Sequence, residues 1–200
     1  MSRPFRPSLL LAASLAAGCA TASRPTPEVT QRAQEASSYS AHLRVSVKGP
    51  SGRGRTPVLL AFQRPESLRI EIPGPTGARL IAVARGETLT AVFPAHRAVF
   101  AGRASAADLD ALLGVGLTPR EVMDLLVGSG SPRLRAYQAR WGPTLPRQID
   151  ATLPDGGRLK VKVADAETGV ELPAAAFVDP AHAGYRSVDA DEARRLWQRR

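Results

Sequence analysis

The sequence is poor in the residues that most enzymes use for chemistry. It contains one cysteine, Cys19, which excludes an internal disulfide. Its three histidines, His42, His96 and His182, lie far apart in the chain and match no metal-binding or catalytic motif. The glycine-rich stretch GPSGRGRTP (49–57) joins two predicted strands and lacks the Gly-Lys-Ser/Thr ending of a phosphate-binding loop. We therefore expect no cofactor, no metal and no enzymatic activity.

Aromatic residues are also scarce, at 5% of the chain, whereas the charge is strongly basic. Lysine and arginine number 27 against 18 acidic residues, which gives a formal net charge of +9. The basic residues are scattered rather than concentrated on one helix, and few aromatic side chains are present to stack on bases. We therefore do not expect a nucleic-acid partner. A basic domain held near a membrane can instead associate with anionic headgroups.

The amino terminus has the pattern of a secretory signal peptide, which we assign to residues 1–18. Arg3 and Arg6 supply a short basic region, and residues 9–17 are apolar but too few to cross a bilayer. Small residues then precede Cys19. The sequence therefore predicts export, with cleavage just before the cysteine.

With cysteine at the first mature position, this stretch resembles a bacterial lipobox, although Leu15 lies one place before the usual apolar position of that motif. The resemblance implies that Cys19 is lipidated and N-acylated, since several acyl chains make a durable membrane anchor. Ala20, where an aspartate would favour the inner membrane, points to the periplasmic face of the outer membrane. Residues 19–27 are predicted to form a lipidated tether. The alternative is an ordinary signal peptide with an incidental cysteine.

Between residues 41 and 102, apolar residues alternate with polar ones, which is the period of β-strands. In AHLRVSVKG (41–49), for example, Leu43, Val45 and Val47 share one face. Turn residues separate the alternating runs. The pattern predicts six strands, over residues 41–49, 56–64, 67–74, 78–85, 87–94 and 97–102.

Two short helices are predicted after these strands. The first spans residues 105–114, and the second spans residues 117–128, with a capping box formed by Thr118 and Glu121. A first helix over 28–38 and a last one from Asp189 complete the helical predictions. Further strands are predicted over residues 133–141, 147–154, 157–165, 172–180 and 185–189.

Together these elements predict a mainly β protein with inserted helices. About ten or eleven strands in antiparallel order are expected to curl toward a barrel. Short amphipathic helices on the concave side would then enclose an apolar cavity. Residues 28–200 are predicted to form one domain, and no internal repeat is present.

The stretch from Ile72 to Gly128 resembles the LolA/LolB family of outer-membrane lipoprotein localisation factors. Pro75-Thr76-Gly77 matches the family's P-x-G loop, Leu113-Gly114 and Leu117-Thr118-Pro119 match its helix junction, and Leu125 to Gly128 matches the end of its second helix. A later strand pair, LPRQIDATLPDGGRLKVKV, is also similar. The resemblance covers roughly residues 36 to 165.

This resemblance implies a curved, half-open antiparallel barrel with the helices as a lid over a cavity for acyl chains. The implied partners are the acyl chains of lipoproteins or lipids, the outer membrane, and a periplasmic LolA-type carrier or another envelope protein. In LolB-type members an apolar residue, usually Leu, projects from the P-x-G loop toward the membrane. Here that position is Thr76, so the loop Pro75, Thr76 and Gly77 departs from the pattern. Residues 166–200 extend beyond the LolB-like core.

Fifteen apolar residues are predicted to face the cavity or to form its lid. They are Leu43, Val45, Val47, Leu60, Phe62, Ile70, Ile72, Leu80, Phe93, Phe100, Leu109, Leu113, Val122, Leu125 and Leu126. The alternative is a barrel filled by its own side chains, because a filled core and a ligand cavity have the same sequence pattern.

The function expected from these observations is that of an outer-membrane lipoprotein that binds acyl chains and acts in lipoprotein or lipid localisation. Two alternatives remain open. The same fold can serve a non-catalytic envelope assembly or structural lipoprotein that binds a protein partner, which Thr76 and the C-terminal extension favour. A hydrolase would instead show turnover that depends on one polar residue.

Overall fold

A computed structural model describes residues 24–49 and 52–198; the predicted signal peptide and Cys19 lie outside these residues. Within them the chain forms one ten-stranded sheet. Its strands are β1 (Ser38–Gly49), β2 (Gly52–Gln63), β3 (Ser67–Gly74), β4 (Gly77–Arg85), β5 (Thr88–Phe93), β6 (Ala98–Arg103), β7 (Ala136–Trp141), β8 (Pro146–Thr152), β9 (Arg158–Thr168) and β10 (Arg186–Ser187). The predicted fold class, mainly β with short inserted helices, is confirmed.

The described residues contain four α-helices: α1 (Pro27–Gln34), α2 (Ala106–Leu113), α3 (Pro119–Leu126) and α4 (Ala190–Gln198). The predicted capping box is present at α3, where the Thr118 hydroxyl accepts from the Glu121 N–H and the Glu121 carboxylate accepts from the Thr118 N–H. Ser105 caps α2, which ends at Gly114 in the left-handed conformation. None of these helices is long and apolar enough to span a bilayer.

The strand order is β10-β6-β5-β4-β3-β2-β1-β9-β8-β7. Strands β1 to β6 form an antiparallel meander, and the chain then crosses through α2 and α3 to the opposite edge of the sheet. There β7, β8 and β9 run back until β9 pairs with β1. The sheet therefore remains open, with β7 and β10 at its two edges, as a half-open barrel requires.

The main core lies on the concave face of this sheet, beneath the helices. Paired residues share a face, so the register places a row such as Leu43, Val58 and Val163 side by side. Met123, Leu125 and Leu126 of α3 are buried in the same cluster. The convex face has smaller apolar burial, with Val83, Val92 and Val99 buried in the sheet and Phe177 buried in a segment that contacts β3 and β4.

The C-terminal region differs from the prediction in two places. Residues 172–180, predicted as a strand, contain a short 3₁₀ helix at Ala174–Phe177, because Pro173 begins a turn and cannot donate to a ladder. The strand predicted over 185–189 is only the two-residue β10, and it runs parallel to β6 rather than antiparallel. The predicted C-terminal helix is present as α4, with Ala193 and Leu196 buried.

Candidate functional site

A cleft of about 410 Å³ opens at one end of the concave face. It lies between β1, β2 and β3 on one side and the end of α2 on the other. The apolar residues that line it are Val45, Val47, Val58, Ile70, Ile72, Leu113, Val115 and Leu153. This volume falls within the range of roughly 300–1,000 Å³ that is typical of small-molecule sites.

The cleft is open because side chains become smaller along the β1–β2 hairpin. At its far end Tyr39 pairs with Phe62, and their rings stack with centroids 5.1 Å apart. Toward the cleft, the concave pairs become Val45 with Thr56 and then Val47 with Gly54. A Cβ atom built on Gly54 meets nothing within 4 Å. The same backbone therefore supports a filled core at one end and an empty space at the other.

The rim of the cleft is polar and mostly basic. Arg53 and Arg55 of β2 and Arg79 of β4 line it, with Asp155 as the acidic residue among them. The Asp155 carboxylate accepts a hydrogen bond of 2.8 Å from the Gly157 N–H. An apolar floor with a basic rim suits an amphiphile, whose alkyl part is buried and whose polar part remains near water.

Helix α3 packs on the concave face and is held there by polar contacts. Arg64, which follows β2, forms an ion pair of 2.8 Å with Asp124 of α3, and both side chains are partly buried. The Tyr137 hydroxyl, on β7, donates to the Leu125 carbonyl at 3.1 Å. Burial raises the pKa of Tyr137, so this hydroxyl remains a donor at physiological pH.

Glu121 adds a further anchor at the start of α3. Besides closing the capping box, its carboxylate accepts a hydrogen bond of 2.7 Å from the Ser131 hydroxyl. Partial burial alone would raise the pKa of Glu121. The hydrogen bonds from Thr118 and Ser131 and the charge of Arg133 outweigh this effect, so the pKa is lowered.

Helix α2, which borders the cleft, is held by the C-terminal helix. Arg194 of α4 donates to the backbone carbonyls of Asp110 and Ala111 in the last turn of α2. The Asp110 carbonyl also accepts a hydrogen bond of 2.8 Å from the Gly114 N–H, and the guanidinium adds a positive charge, which is favourable at a helix C-terminus. Gln198, at the end of α4, also lines the cleft. The C-terminal residues 166–200 therefore position one wall of the site through α4.

The fifteen predicted cavity residues fall into two groups in the structure. Five line the cleft: Val45, Val47, Ile70, Ile72 and Leu113. The other ten belong to or pack against the core beneath the helices: Leu43, Leu60, Phe62, Leu80, Phe93, Phe100, Leu109, Val122, Leu125 and Leu126. Sequence reasoning missed Val58, Val115 and Leu153. Of these, Val58 could have been predicted from the sequence, because it lies two residues before Leu60 on β2 and therefore shares its face.

The predicted membrane-facing loop, Pro75, Thr76 and Gly77, forms the exposed tip of the β3–β4 hairpin. Gly77 has a φ of +125°, which favours glycine. Ile72 and Arg79, on the two strands of this hairpin, both line the cleft. The tip therefore lies at the same end of the sheet as the opening.

The three histidines occupy separate elements. His42 lies on β1, exposed and paired with Leu59 and Asp165. His96 is in the exposed turn before β6, and the His182 ring is 2.8 Å from the Pro180 carbonyl. Within residues 24–49 and 52–198, no group of three or more His, Cys, Asp or Glu side chains is arranged to hold a metal ion.

Comparisons with known proteins show distant similarity of fold. Neither family models nor curated proteins match this sequence. A LolA superfamily protein structure from Nitrosomonas europaea has 11% identity and a TM-score of 0.45, covering 78% of this chain and 98% of its own. A domain from Vibrio parahaemolyticus, named for outer membrane lipoprotein sorting, has 8% identity and a TM-score of 0.46, covering 76% and 95%.

A DUF1329 family protein from Desulfovibrio piger is similar to the same degree, with 10% identity and a TM-score of 0.47 over 78% of this chain and 95% of its own. These three structures have TM-scores of 0.45 to 0.47 and identities of 8% to 11%, which is a distant similarity of fold. The class of ligand proposed below follows from the geometry of the cleft and not from these structures.

Proposed function

We propose that this protein is a lipoprotein of the outer membrane that binds acyl chains in the cleft and acts in lipoprotein or lipid localisation. The observation that carries the proposal is the open apolar cleft beside the filled core. An acyl chain that buries about ten methylene groups gains about 8 kcal/mol. This gain corresponds to a dissociation constant of about 1 µM before the costs of association.

The first experiment is a titration with a fluorescent acyl probe. The protein is the unacylated full chain, in which Cys19→Ser removes the predicted lipidation site. We expect saturable binding that an acylated peptide displaces. Native mass spectrometry of the same preparation should show lipid-sized adducts.

Val47→Phe tests whether the probe occupies the cleft. Val47 is half-buried and faces the open space opposite Gly54. The larger ring should fill part of this space and weaken probe binding at least tenfold. Leu59→Phe is the matched control, because Leu59 lies on the same hairpin but is 37% exposed, on the convex face. Equal loss in both variants would contradict the assignment.

The anchor is tested separately, by metabolic labelling with a fatty acid and by membrane fractionation of cells that express the chain. We expect label in the native chain and none after Cys19→Ser, with the native protein in the outer-membrane fraction. Export without label would mean that the amino terminus is an ordinary signal peptide.

A protein that carries no lipid adduct and binds no probe would favour the second function, that of a non-catalytic envelope lipoprotein that docks a protein partner. The integration of residues 166–200 into the fold gives that alternative a structural basis, since β10 and α4 lie beyond the LolB-like core. Affinity capture from envelope extracts would then identify the partner.

A further inference from the structure

The convex surface of β1, β9 and β7 carries a concentration of positive charge. The strand register places its exposed cations in neighbouring positions of one face. We call this set the basic face; it consists of Arg44, Lys48, Arg140, Arg158, Lys160 and Lys162. These residues are scattered in the sequence, and the sheet brings them together.

Several of these cations are direct cross-strand neighbours. Lys48 on β1 pairs with Arg158 on β9 and, on its other side, with Arg53 of β2. Further along the strands, on the same face, Arg44 pairs with Lys162. Opposed residues in a sheet have Cβ atoms about 5 Å apart, and like charges at that spacing destabilise the pairing. The folded chain thus carries a local repulsion that an anionic surface would relieve.

Acidic residues balance little of this charge. Asp150 on β8 pairs with Lys160, with an ion-pair distance of 3.4 Å. Partial burial would raise the pKa of Asp150, but the Gln148 amide and the charges of Lys160 and Arg140 lower it overall. Asp165 and Glu167 lie further along β9, beyond the register shift near His42. The basic face lies in the three cross-strand rows that pass through Lys162, Lys160 and Arg158 of β9. These rows therefore keep a large excess of positive charge.

The two halves of the convex surface differ in cover. Over β3 and β4, the 3₁₀ turn Ala174–Phe177 covers the sheet, and Arg69 donates to the Ala176 carbonyl at 3.2 Å. The six cations of the basic face are all exposed. Its rows contain no aromatic side chain, which disfavours single-stranded nucleic acid as a partner, because base stacking needs such platforms.

The chain enters the domain at the β7 edge of the sheet, where the two faces meet. Arg24 and Pro25 line a surface depression there, together with Gln138 and Arg140 of the convex face and Ala139 and Trp141 of the concave face. Five peptide units separate Arg24 from Cys19, and they span at most about 18 Å. An acyl anchor at Cys19 would therefore hold the β7 edge close to the bilayer.

We infer that the basic face docks on the anionic headgroups of a phospholipid bilayer. The inference rests on the proposed lipid anchor for the position of the tether, and it is independent of the cleft. Docking in this way leaves the concave face on the side of the sheet away from the bilayer, with the cleft rim at Arg53, the neighbour of Lys48, at the border of the docked face. The cleft is then accessible to a partner arriving from the periplasm.

The test is flotation of the unacylated full chain (Cys19→Ser) with phosphatidylcholine vesicles that contain or lack phosphatidylglycerol. We expect binding to the anionic vesicles alone, and loss of that binding as sodium chloride is raised. The combined variant Lys48→Gln, Arg158→Gln and Lys162→Gln should bind on the order of 100-fold more weakly, from the contribution of each basic residue near a charged membrane.

The matched control removes three cations elsewhere on the surface, by Arg85→Gln, Arg120→Gln and Arg195→Gln. Both variants have the same net charge, so an equal loss of binding would overturn the inference in favour of net charge. Equal affinity for duplex DNA and anionic vesicles would overturn it in favour of a general polyanion surface. No binding of the parent protein to anionic vesicles would also overturn it.

Thermal unfolding and acyl-probe binding distinguish a loss of charge from a loss of structure. The basic-face variant should unfold at the same temperature as the parent or higher, because the repulsion has been removed. Unfolding at a lower temperature, with the loss of vesicle binding, would attribute that loss to damage of the sheet and overturn the inference. The variant should also bind the acyl probe unchanged, so a failure of the cleft proposal and a failure of membrane docking give different results.

Discussion

The two ends of the concave face lie on the same β1–β2 hairpin but hold different contents. At the closed end Tyr39 and Phe62 are fully buried and stacked. At the open end the corresponding pair is Val47 and Gly54, which borders a cleft of about 410 Å³. The backbone pattern is the same in both places, and side-chain volume together with helix cover decides which end becomes a core and which becomes a site.

The lid helices reinforce this difference. Helix α3 is held to the closed end by Arg64, whereas Tyr137 holds it from the cross-strand row of Val47 and Glu121 holds its first turn. Helix α2 reaches the open end with Leu113 and Gly114, where the chain turns away. A ligand that enters the cleft therefore contacts the end of α2 without displacing the polar anchors of α3. Paired substitutions at the two ends test whether they differ in this way.

Truncating one side chain at each end should give the largest contrast. Phe62→Ala removes a buried ring that packs on Tyr39 and has the Arg64 guanidinium 5.6 Å from its centroid. It should lower the free energy of unfolding by about 3–5 kcal/mol. Val45→Ala should cost about 1 kcal/mol or less, because its methyl groups border open space. Urea unfolding measures both, and similar losses would mean that the open end is packed as tightly as the closed end.

Adding one methyl group at each end should give effects of opposite sign. A Cβ on Gly102, at the closed end, would lie 2.6 Å from Phe100 Cζ, whereas one on Gly54 meets nothing within 4 Å. Gly102→Ala should destabilise the fold by about 1–3 kcal/mol through overpacking. Gly54→Ala should stabilise it by about 0.5–1 kcal/mol, since glycine weakens a strand interior. The measurement is thermal unfolding, and destabilisation at Gly54 would argue against an open cleft.

The contribution of the Glu121 anchor of α3 to stability should depend on pH. The pKa of Glu121 is lowered below its ordinary value of 4.5 in the folded protein. Its contribution to stability is therefore present above that ordinary value and is lost as the pH falls through the folded value. Glu121→Gln should cost about 1 kcal/mol at neutral pH, because charge-assisted hydrogen bonds are weakened.

The difference between Glu121→Gln and the parent should disappear in acid, as urea unfolding at a series of pH values would show. Glu87→Gln removes the same charge from an exposed turn and serves as the control. A constant difference at all pH values would attribute the loss to shape rather than to the charge of Glu121.

Sequence patterns were sufficient for the strands and caps but not for the site. Period-two alternation predicts β1 and β3 to β6 closely, and the capping box at Thr118 and Glu121 is present as expected. These features are local. The division of the apolar face into core and cleft is not local, because it depends on what lies across the strand, as Gly54 lies across from Val47. A strand was expected over residues 172–180 because the run is apolar, but a turn begins there at Pro173.

The basic face illustrates the same limit for charge. Its cations are scattered in the sequence, and only the pairing of β1 with β9 places Lys48 beside Arg158 and Arg44 beside Lys162. This pairing joins segments far apart in the chain, and it follows from the crossover through α2 and α3. A scattered charge in sequence is thus compatible with a concentrated charge in the fold.

The smallest expected change in stability is at the hairpin tip of the open end. Thr76→Leu alters an exposed turn residue and should change the free energy of unfolding by less than about 0.5 kcal/mol. Thr144→Leu, in the exposed β7–β8 turn at the closed end, makes the same chemical change at the opposite end of the sheet. If the tip at Thr76 reaches the bilayer, only Thr76→Leu should strengthen flotation with vesicles.

This gain would come from burying a leucine side chain, so it should appear with neutral vesicles and persist in high salt. Docking through the basic face has the opposite signature, since salt screens it. A gain in Thr76→Leu that salt does not reduce would show that the open end of the concave face also contacts the membrane. An unchanged result for both variants would remove the tip from the mechanism and leave the basic face as the proposed contact.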